Sequence, residues 1–397
     1  MRKHRILRGF LTIILVALLI AIAVSIALVG TGRMGKILEK RGITILSREE
    51  PAEPAEEQIW LTDTLDGEGT ADTAEAPAEA APGTETPAGT VPGAEAPAET
   101  PEGEPAAAGD TAEAAAVPML KIGDKDVASG VLFEPNAATV SIPDTELTST
   151  NCVLVKLTDD TIVAQQNADV RVSPASMTKI VTVMVAGDML DPDSTVLITD
   201  EMIDYCRTND LSAAGLEAGQ TYTVRELMYG TILPSGGEAA AALAITAGGS
   251  LDGFTALMNQ KAADLGLADQ AHFTNCAGTY AEDHYCTLLG MAGFLKAALL
   301  NDTVREVLST KVYTIPAKVE GKEDLVLSNW FLRRIEDRDC GGEVIAAKTG
   351  FVTQSGNCAA SYEVSASGVP YICVTANSDS EWNCIYDHVA LYKKYAA

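Results

Sequence analysis

Apolar residues divide the chain into three stretches of different pattern. Phe10 to Gly30 is an uninterrupted apolar run of 21 residues, preceded by Arg2, Lys3, Arg5 and Arg8. That length suits a helix crossing a bilayer, and it exceeds the ~7–15 residues of a secretory signal core. Residues 49–117 then lose almost every large apolar side chain and consist of Ala, Pro, Glu, Thr and Gly. Such a composition cannot offset the entropy of ordering, so the pattern predicts a disordered linker. From Met119 onward the apolar positions become periodic. Cys152–Val155 and Thr161–Ala164 alternate around Thr158-Asp159-Asp160, as a hairpin does. Met177, Ile180, Val181, Met184 and Val185 recur at helical steps after Pro174. Thr223-Val224-Arg225-Glu226 reads as a capping box opening a second helix, which breaks between Gly230 and Gly237 before a small-residue helix resumes. Ser250–Gly266 and Thr287–Leu300 continue the helical pattern. Val344–Ala346, Asn357–Val364 and Tyr371–Asn377 then read as strands, and Trp382–Tyr395 as a closing helix. Strands at both ends of a helical block predict one mixed α/β unit whose terminal segments share a sheet.

This pattern sets the expected organisation: a cytoplasmic basic segment at 1–9, a transmembrane helix at 10–30, an extracellular flank and linker at 31–118, and a globular domain at 119–397. The basic N-terminus favours a cytoplasmic start and an exported domain, although Lys36, Lys40 and Arg41 place positive charge on the far side as well. Ala21-Ile22-Ala23 resembles a cleavage site, so a removed signal is the alternative. The formal net charge is −27, and 16 acidic residues with no Lys or Arg fall within 51–120. Nucleic acid, which demands a basic face, is not an expected partner. The eight cysteines show no zinc-ligand spacing, and no metal or cofactor is expected. Export permits disulfides, with Cys276–Cys286 and Cys358–Cys373 as the candidate pairs and free thiols as the alternative. His272 and His284 read as loop or core residues, and Arg333 and Arg334 as a solvated face.

Candidate chemistry begins at the head of the first buried helix. Ser176 and Lys179 lie three residues apart, so a helix puts the amine one turn from the hydroxyl. Burial disfavours the charged amine, and a neutral amine can activate a hydroxyl nucleophile. Ser235-Gly236-Gly237 follows in the break between helices, and Lys348-Thr349-Gly350 comes at the end of a predicted strand. In that order the three motifs match the SxxK, S-x-N and K-T-G set of penicillin-binding proteins and serine β-lactamases.

The surrounding segments NADVRVSPASMTKIVT, GLEAGQTYTVRELMYGTILPSGGEAAAALA, HFTNCAGTYAEDHYCT and KTGFVTQSGNCAASY resemble the serine-type D-alanyl-D-alanine carboxypeptidases of low molecular mass. The resemblance covers about Val140 to Ala397. It implies a β-lactamase/transpeptidase-like mixed α/β fold, with a five-stranded antiparallel sheet, helices upon it and an all-helical lobe. It implies Ser176 as nucleophile, Lys179 as general base and Ser235 as proton relay to the leaving amine. Lys348, Thr349 and Gly350 would bind substrate, and the N–H groups of Ser176 and Phe351 would form the oxyanion hole. The implied partners are a peptidoglycan stem peptide and β-lactam inhibitors, besides the membrane. The sequence departs from the family at Gly237, where the second motif ordinarily ends in Asn. A serine β-lactamase on the same scaffold is the rival activity, although no E-x-x-L-N string occurs after the second motif. A catalytically weakened wall-binding homologue is the non-enzymatic rival, suggested by Gly237.

Overall fold

The structure, a computed structural model, describes residues 118–396. The basic N-terminal segment, the apolar run and the acidic linker lie outside those residues. The central element is a sheet of six strands: β1 (Val140–Ser141), β2 (Asn151–Lys156), β3 (Thr161–Gln166), β4 (Gly342–Val352), β5 (Gly356–Ser365) and β6 (Pro370–Ser378). Their spatial order is β4-β5-β6-β2-β3-β1. Strand β6 pairs with β2, Cys373 opposite Leu154, so the first hairpin and the last are joined as their patterns predicted.

Five of these strands form the expected antiparallel sheet. The sixth, β1, adds a parallel edge, with Val140 opposite Ala164 and Ser141 opposite Gln165. It is two residues long because Pro143 follows closely and has no N–H to continue a ladder. So short a segment leaves no periodic trace. A second correction concerns the third motif. Strand β4 runs to Val352, opposite Gly356, so Lys348, Thr349 and Gly350 lie inside a strand rather than at its end.

Alternating side chains on the sheet bury both faces. Val153 and Val155 of β2, with Ile372 and Val374 of β6, join the larger core against the helices. Cys152 and Leu154, with Ala359 and Cys373, face a second core closed by α8 (Trp330–Ile335) and α9 (Glu381–Tyr395). The larger core is organised around α1 (Thr178–Met189), whose residues 178–186 are all buried. Around it lie α2 (Asp200–Thr208), α3 (Val224–Ile232), α4 (Gly237–Gly248), α5 (Leu251–Asp264), α6 (Leu288–Leu300) and α7 (Asp302–Leu308). Thr223 and Glu226 form the expected capping box at α3, and Ser250 caps α5 through the Gly253 N–H at 3.0 Å. The smaller core contains a polar chain: His388 Nδ1 lies 2.7 Å from Ser361 Oγ, and its Nε2 lies 3.0 Å from Thr375 Oγ1.

All eight cysteines are buried thiols. Neither candidate disulfide forms. Cys358 stands opposite Gly350 and Cys373 opposite Ser361, and the two belong to different cores. Cys276 lies instead against the Tyr205 hydroxyl, while the Cys286 thiol donates to Thr287 O.

Acid stability follows from the buried ionisable groups. Burial pushes His388 down to about 3 and His284 down to about 4, against 6.5 for an ordinary imidazole. Above the ordinary value neither form of the chain binds the extra protons. Below it the unfolded chain takes them up and the folded one does not, so stability falls with pH. Glu363, raised to about 8 by burial, acts with the opposite sign down to its ordinary value near 4.5. Two imidazoles against one carboxyl leave a net loss of ~1.4 kcal/mol per pH unit across the window between those ordinary values. The loss should steepen just below it and ease again once His284, near pH 4, and then His388, near pH 3, take up protons in the folded chain. Thermal unfolding of wild type and His388→Gln against pH checks this; an equal slope for the two proteins contradicts it.

Candidate active site

Pro174 ends the preceding extended segment, and a single 3-10 turn, Ala175–Met177, leads into α1. Ser176 sits in that turn, half-buried, ahead of fully buried Lys179. Lys179 Nζ lies 2.9 Å from Ser176 Oγ and 3.0 Å from the carbonyl oxygen of Ala277. Burial pushes the Lys179 amine down to about 8, although Cys276, Cys206 and Glu238 pull the other way. The amine is therefore close to losing its proton at neutral pH, beside the hydroxyl that it would activate.

The Ala277 carbonyl is held in place from several sides. Asn275 Oδ1 accepts the N–H groups of Ala277, Gly278 and Thr279 at 3.2, 2.7 and 3.0 Å. Thr182 Oγ1, one turn beyond Lys179, donates to Cys276 O at 2.6 Å. His284 Nδ1 accepts the Thr274 N–H at 3.0 Å, which leaves Nε2 protonated to donate to Thr178 Oγ1 at 2.9 Å. His284 thus ties this loop to the helix that carries Lys179. Its low pKa keeps the ring neutral, as those two bonds require.

On the other side of the site, Lys348 Nζ donates to Ser235 Oγ at 3.0 Å and to its neighbour's carbonyl, Thr349 O, at 2.8 Å. Burial, reinforced by the Lys179 charge, holds Lys348 well below an ordinary lysine. Ser235 has φ +67°, a backbone conformation rare outside glycine, and it sits in the break between α3 and α4. Strain of this kind collects where a side chain must be aimed rather than merely packed. Gly350 explains how closely β4 passes Ser176. A Cβ there would lie 2.8 Å from Ser176 N and 3.0 Å from both Ala175 Cβ and Cys358 Sγ. Thr349 is half-buried, Gly237 is buried, and the Phe351 side chain is 62% exposed on the strand edge.

The structure therefore gathers Ser176, Lys179, Ser235 and Lys348 through direct hydrogen bonds and brings Gly350 against the Ser176 backbone. Asn275 and the Ala277 carbonyl also support this site, and residue-type reasoning passed over both; His284, read as a loop or core residue, is a buried side chain that ties the loop to α1. A backbone carbonyl has no signature in sequence, and the HFTNCAGTYAEDHYCT segment was the only pointer to the loop. Arg334 stacks on Trp330 at 3.6 Å from the ring centroid and lies 5.4 Å from that of Trp382, on the α8–α9 side of the sheet.

Comparison with known proteins bears on the family and the fold. The peptidase S11 family model, D-alanyl-D-alanine carboxypeptidase, matches residues 136–380. The chain belongs to this family. It is 35% identical over 171 residues to the D-alanyl-D-alanine carboxypeptidase of Streptomyces sp. strain K15, covering 41% of this chain and 58% of that protein. It is 28% identical over 214 residues to DacF of Bacillus subtilis, covering 52% of each. DacA of Escherichia coli is 34% identical over 161 residues, covering 39% of this chain and 40% of the relative. The chain thus spans about half the length of the curated relatives it matches. Among solved structures, the Streptomyces K15 DD-transpeptidase superposes with a TM-score of 0.58 at 27% identity, covering 64% of this chain and 99% of that one. A Mycobacterium tuberculosis D-alanyl-D-alanine carboxypeptidase superposes at 0.56 with 23% identity, covering 64% and 94%, and it supports the fold alone.

The Gly350 contacts can be tested directly. Gly350→Ala should push β4 away from the 175–176 turn at a cost of ~1–3 kcal/mol. Thermal unfolding would register a lower midpoint, and an unchanged midpoint would contradict the close approach.

Proposed function

We propose that this chain is a membrane-anchored serine D-alanyl-D-alanine carboxypeptidase that trims the terminal D-alanine from peptidoglycan stem peptides. The observation that carries the reading is the pair of buried lysines, each hydrogen-bonded to a serine hydroxyl: Lys179 to Ser176 at 2.9 Å and Lys348 to Ser235 at 3.0 Å. Ser176 Oγ attacks the carbonyl between the two D-alanines while its proton passes to Lys179, kept available as a base by burial. The carbonyl oxygen becomes an oxyanion, received by the N–H groups of Ser176 and Phe351. Collapse of that intermediate breaks the C–N bond. Ser235 hands a proton to the departing amine and is reprotonated by the one Lys179 took from Ser176, so that free D-alanine leaves an ester on Ser176 and Lys179 is again a base. Lys348 holds Ser235 in line and places positive charge near the substrate carboxylate, to which Thr349 donates a hydrogen bond. Gly350 and Gly237 line the substrate's path. Water then attacks the ester, releasing the shortened peptide and returning the proton to Ser176.

A β-lactam presents a comparable carbonyl and should acylate Ser176 with slow release, which would make the protein a drug target rather than a β-lactamase. The apolar run 10–30 would anchor the chain, with the catalytic domain outside the cell and the linker lifting it on the order of 45–50 Å from the bilayer on average.

Purified protein should release D-alanine from a diacetyl-Lys-D-Ala-D-Ala peptide, and its mass after penicillin treatment should rise by one drug molecule. Ser176→Ala should abolish both. No D-alanine release by a protein that does take up penicillin would leave a penicillin-binding wall module. Rapid penicillin turnover would favour a β-lactamase.

A further inference from the structure

The turn Ser235-Gly236-Gly237 is packed against a strap, Leu211–Leu216, that no motif marks. A Cβ on Gly237 would lie 2.7 Å from both Cβ and Cδ1 of Leu211 and 3.0 Å from Cys206 Sγ. A Cβ on Gly236 would lie 2.7 Å from Ala214 Cβ. Leu211 Cβ is fixed to its backbone, so no change of rotamer relieves the first contact. The strap is anchored to its surroundings. Gly237 N donates to Ser212 O at 2.8 Å, and Glu238 Oε1 accepts the N–H groups of Ala214, Gly215 and Leu216 at 2.7, 2.9 and 3.3 Å. The Cys206 thiol donates to the carbonyl oxygens of Leu211 and Ser212, each at 3.4 Å. Glu238 is also among the groups that act on Lys179, and Cys206 lies near enough to act on it were the thiol ionised, so this packing lies on the lysine side of the turn.

We infer that Leu211, held by the Glu238-clamped strap, occupies the room a residue-237 side chain would need, leaving Lys179 two protein acceptors, Ser176 Oγ and Ala277 O. Two partners suit an unprotonated amine. An ammonium brings three N–H donors and no lone pair, so one donor would find no protein acceptor. A neutral amine can take the Ser176 O–H on its lone pair and give one N–H to Ala277 O. The replacement of Asn by glycine then favours the basic form of Lys179 rather than weakening it. Glu238 and Leu211 are positioning residues in this scheme, which rests on the activity proposed above only for its catalytic meaning.

The groups facing Lys179 come from several elements. They are Cys206 of α2, Glu238 of α4, Cys276 of the 274–284 loop and Lys348 of β4, with neutral His284 bonded to adjacent Thr178. Glu238 favours its charged form, the two cysteines would do so only as thiolates that burial disfavours, and the Lys179 charge in turn holds Lys348 down. An amide oxygen on residue 237 would add a further acceptor for the ammonium and raise its pKa.

The test is a double-mutant cycle on the folded protein with Gly237→Asn, Leu211→Gly and their combination. Gly237→Asn alone should lower the unfolding midpoint by roughly 5 °C and slow acylation by a fluorescent penicillin at least about tenfold, because the new Cβ displaces the turn. The double variant should recover most of both. Heteronuclear NMR of isotope-labelled lysines follows Lys179 whether or not the protein acylates. Wild type should titrate near 8, and the double variant higher by on the order of one unit, with the acid limb of acylation moving in step. Should Gly237→Asn fail to fold, Gly237→Ala carries the same stability cycle, because it adds only the Cβ. A wild-type midpoint for the single variant, no recovery in the double, or an unmoved Lys179 titration would overturn the inference. Loss of wild-type acylation with the stability cycle and titration as expected would overturn the proposed activity instead.

Discussion

The constraint on which this structure depends is the burial of two amines with no carboxylate bonded to either. Lys179 and Lys348 are both closed off from solvent, and the partners of each are a serine oxygen and a backbone carbonyl. Neutral acceptors recover only part of the hydration energy of an ammonium, so both groups are pushed toward their uncharged forms. Lys296 shows the alternative within the same molecule. It is equally buried, yet it pairs with the Asp160 carboxylate beneath Phe133, and that partner pulls its pKa back up against the effect of burial. One buried lysine is paired, as structural cations usually are. The other two are bonded to hydroxyls, as reactive amines are.

Supporting those two amines determines much of the architecture. The carbonyl that receives Lys179 lies on a loop tied to α1 by Thr182 and His284 and folded around Asn275. The serine that receives Lys348 is held at a positive φ by the break between α3 and α4. Gly350 lets a sheet edge reach the backbone of Ser176. Each support comes from a different part of the chain, and none is itself a reacting group.

Legibility in the sequence followed how local each feature was. The β2–β3 hairpin, the buried face of α1, the capping box at α3 and the break before α4 all arise from residues within a few positions of one another, and their periodicity or capping chemistry exposed them. The Ser176–Lys179 pair was readable for the same reason. Strand β1 was not, because two residues carry no period. The position of Lys348 inside β4 was missed because the continuation to Val352 depends on pairing with Gly356, not on its own alternation. The Ala277 carbonyl and the Leu211 strap were illegible in a stricter sense. The first is backbone, and the second matters only through a contact with a residue that has no side chain.

The joining of β2 to β6 has a temporal consequence. Residues 151–156 must wait for residues 370–378 before their inner edge is paired, and Ser176 must wait for Gly350 before the strand edge stands over it. A ribosome therefore releases Ser176 and its neighbouring lysine long before it releases the strand that completes their surroundings. The dry enclosure that lowers the pKa of Lys179 is a property of the folded chain. Contacts so distant in sequence make folding slower, and they leave the surroundings of Ser176 to be completed last.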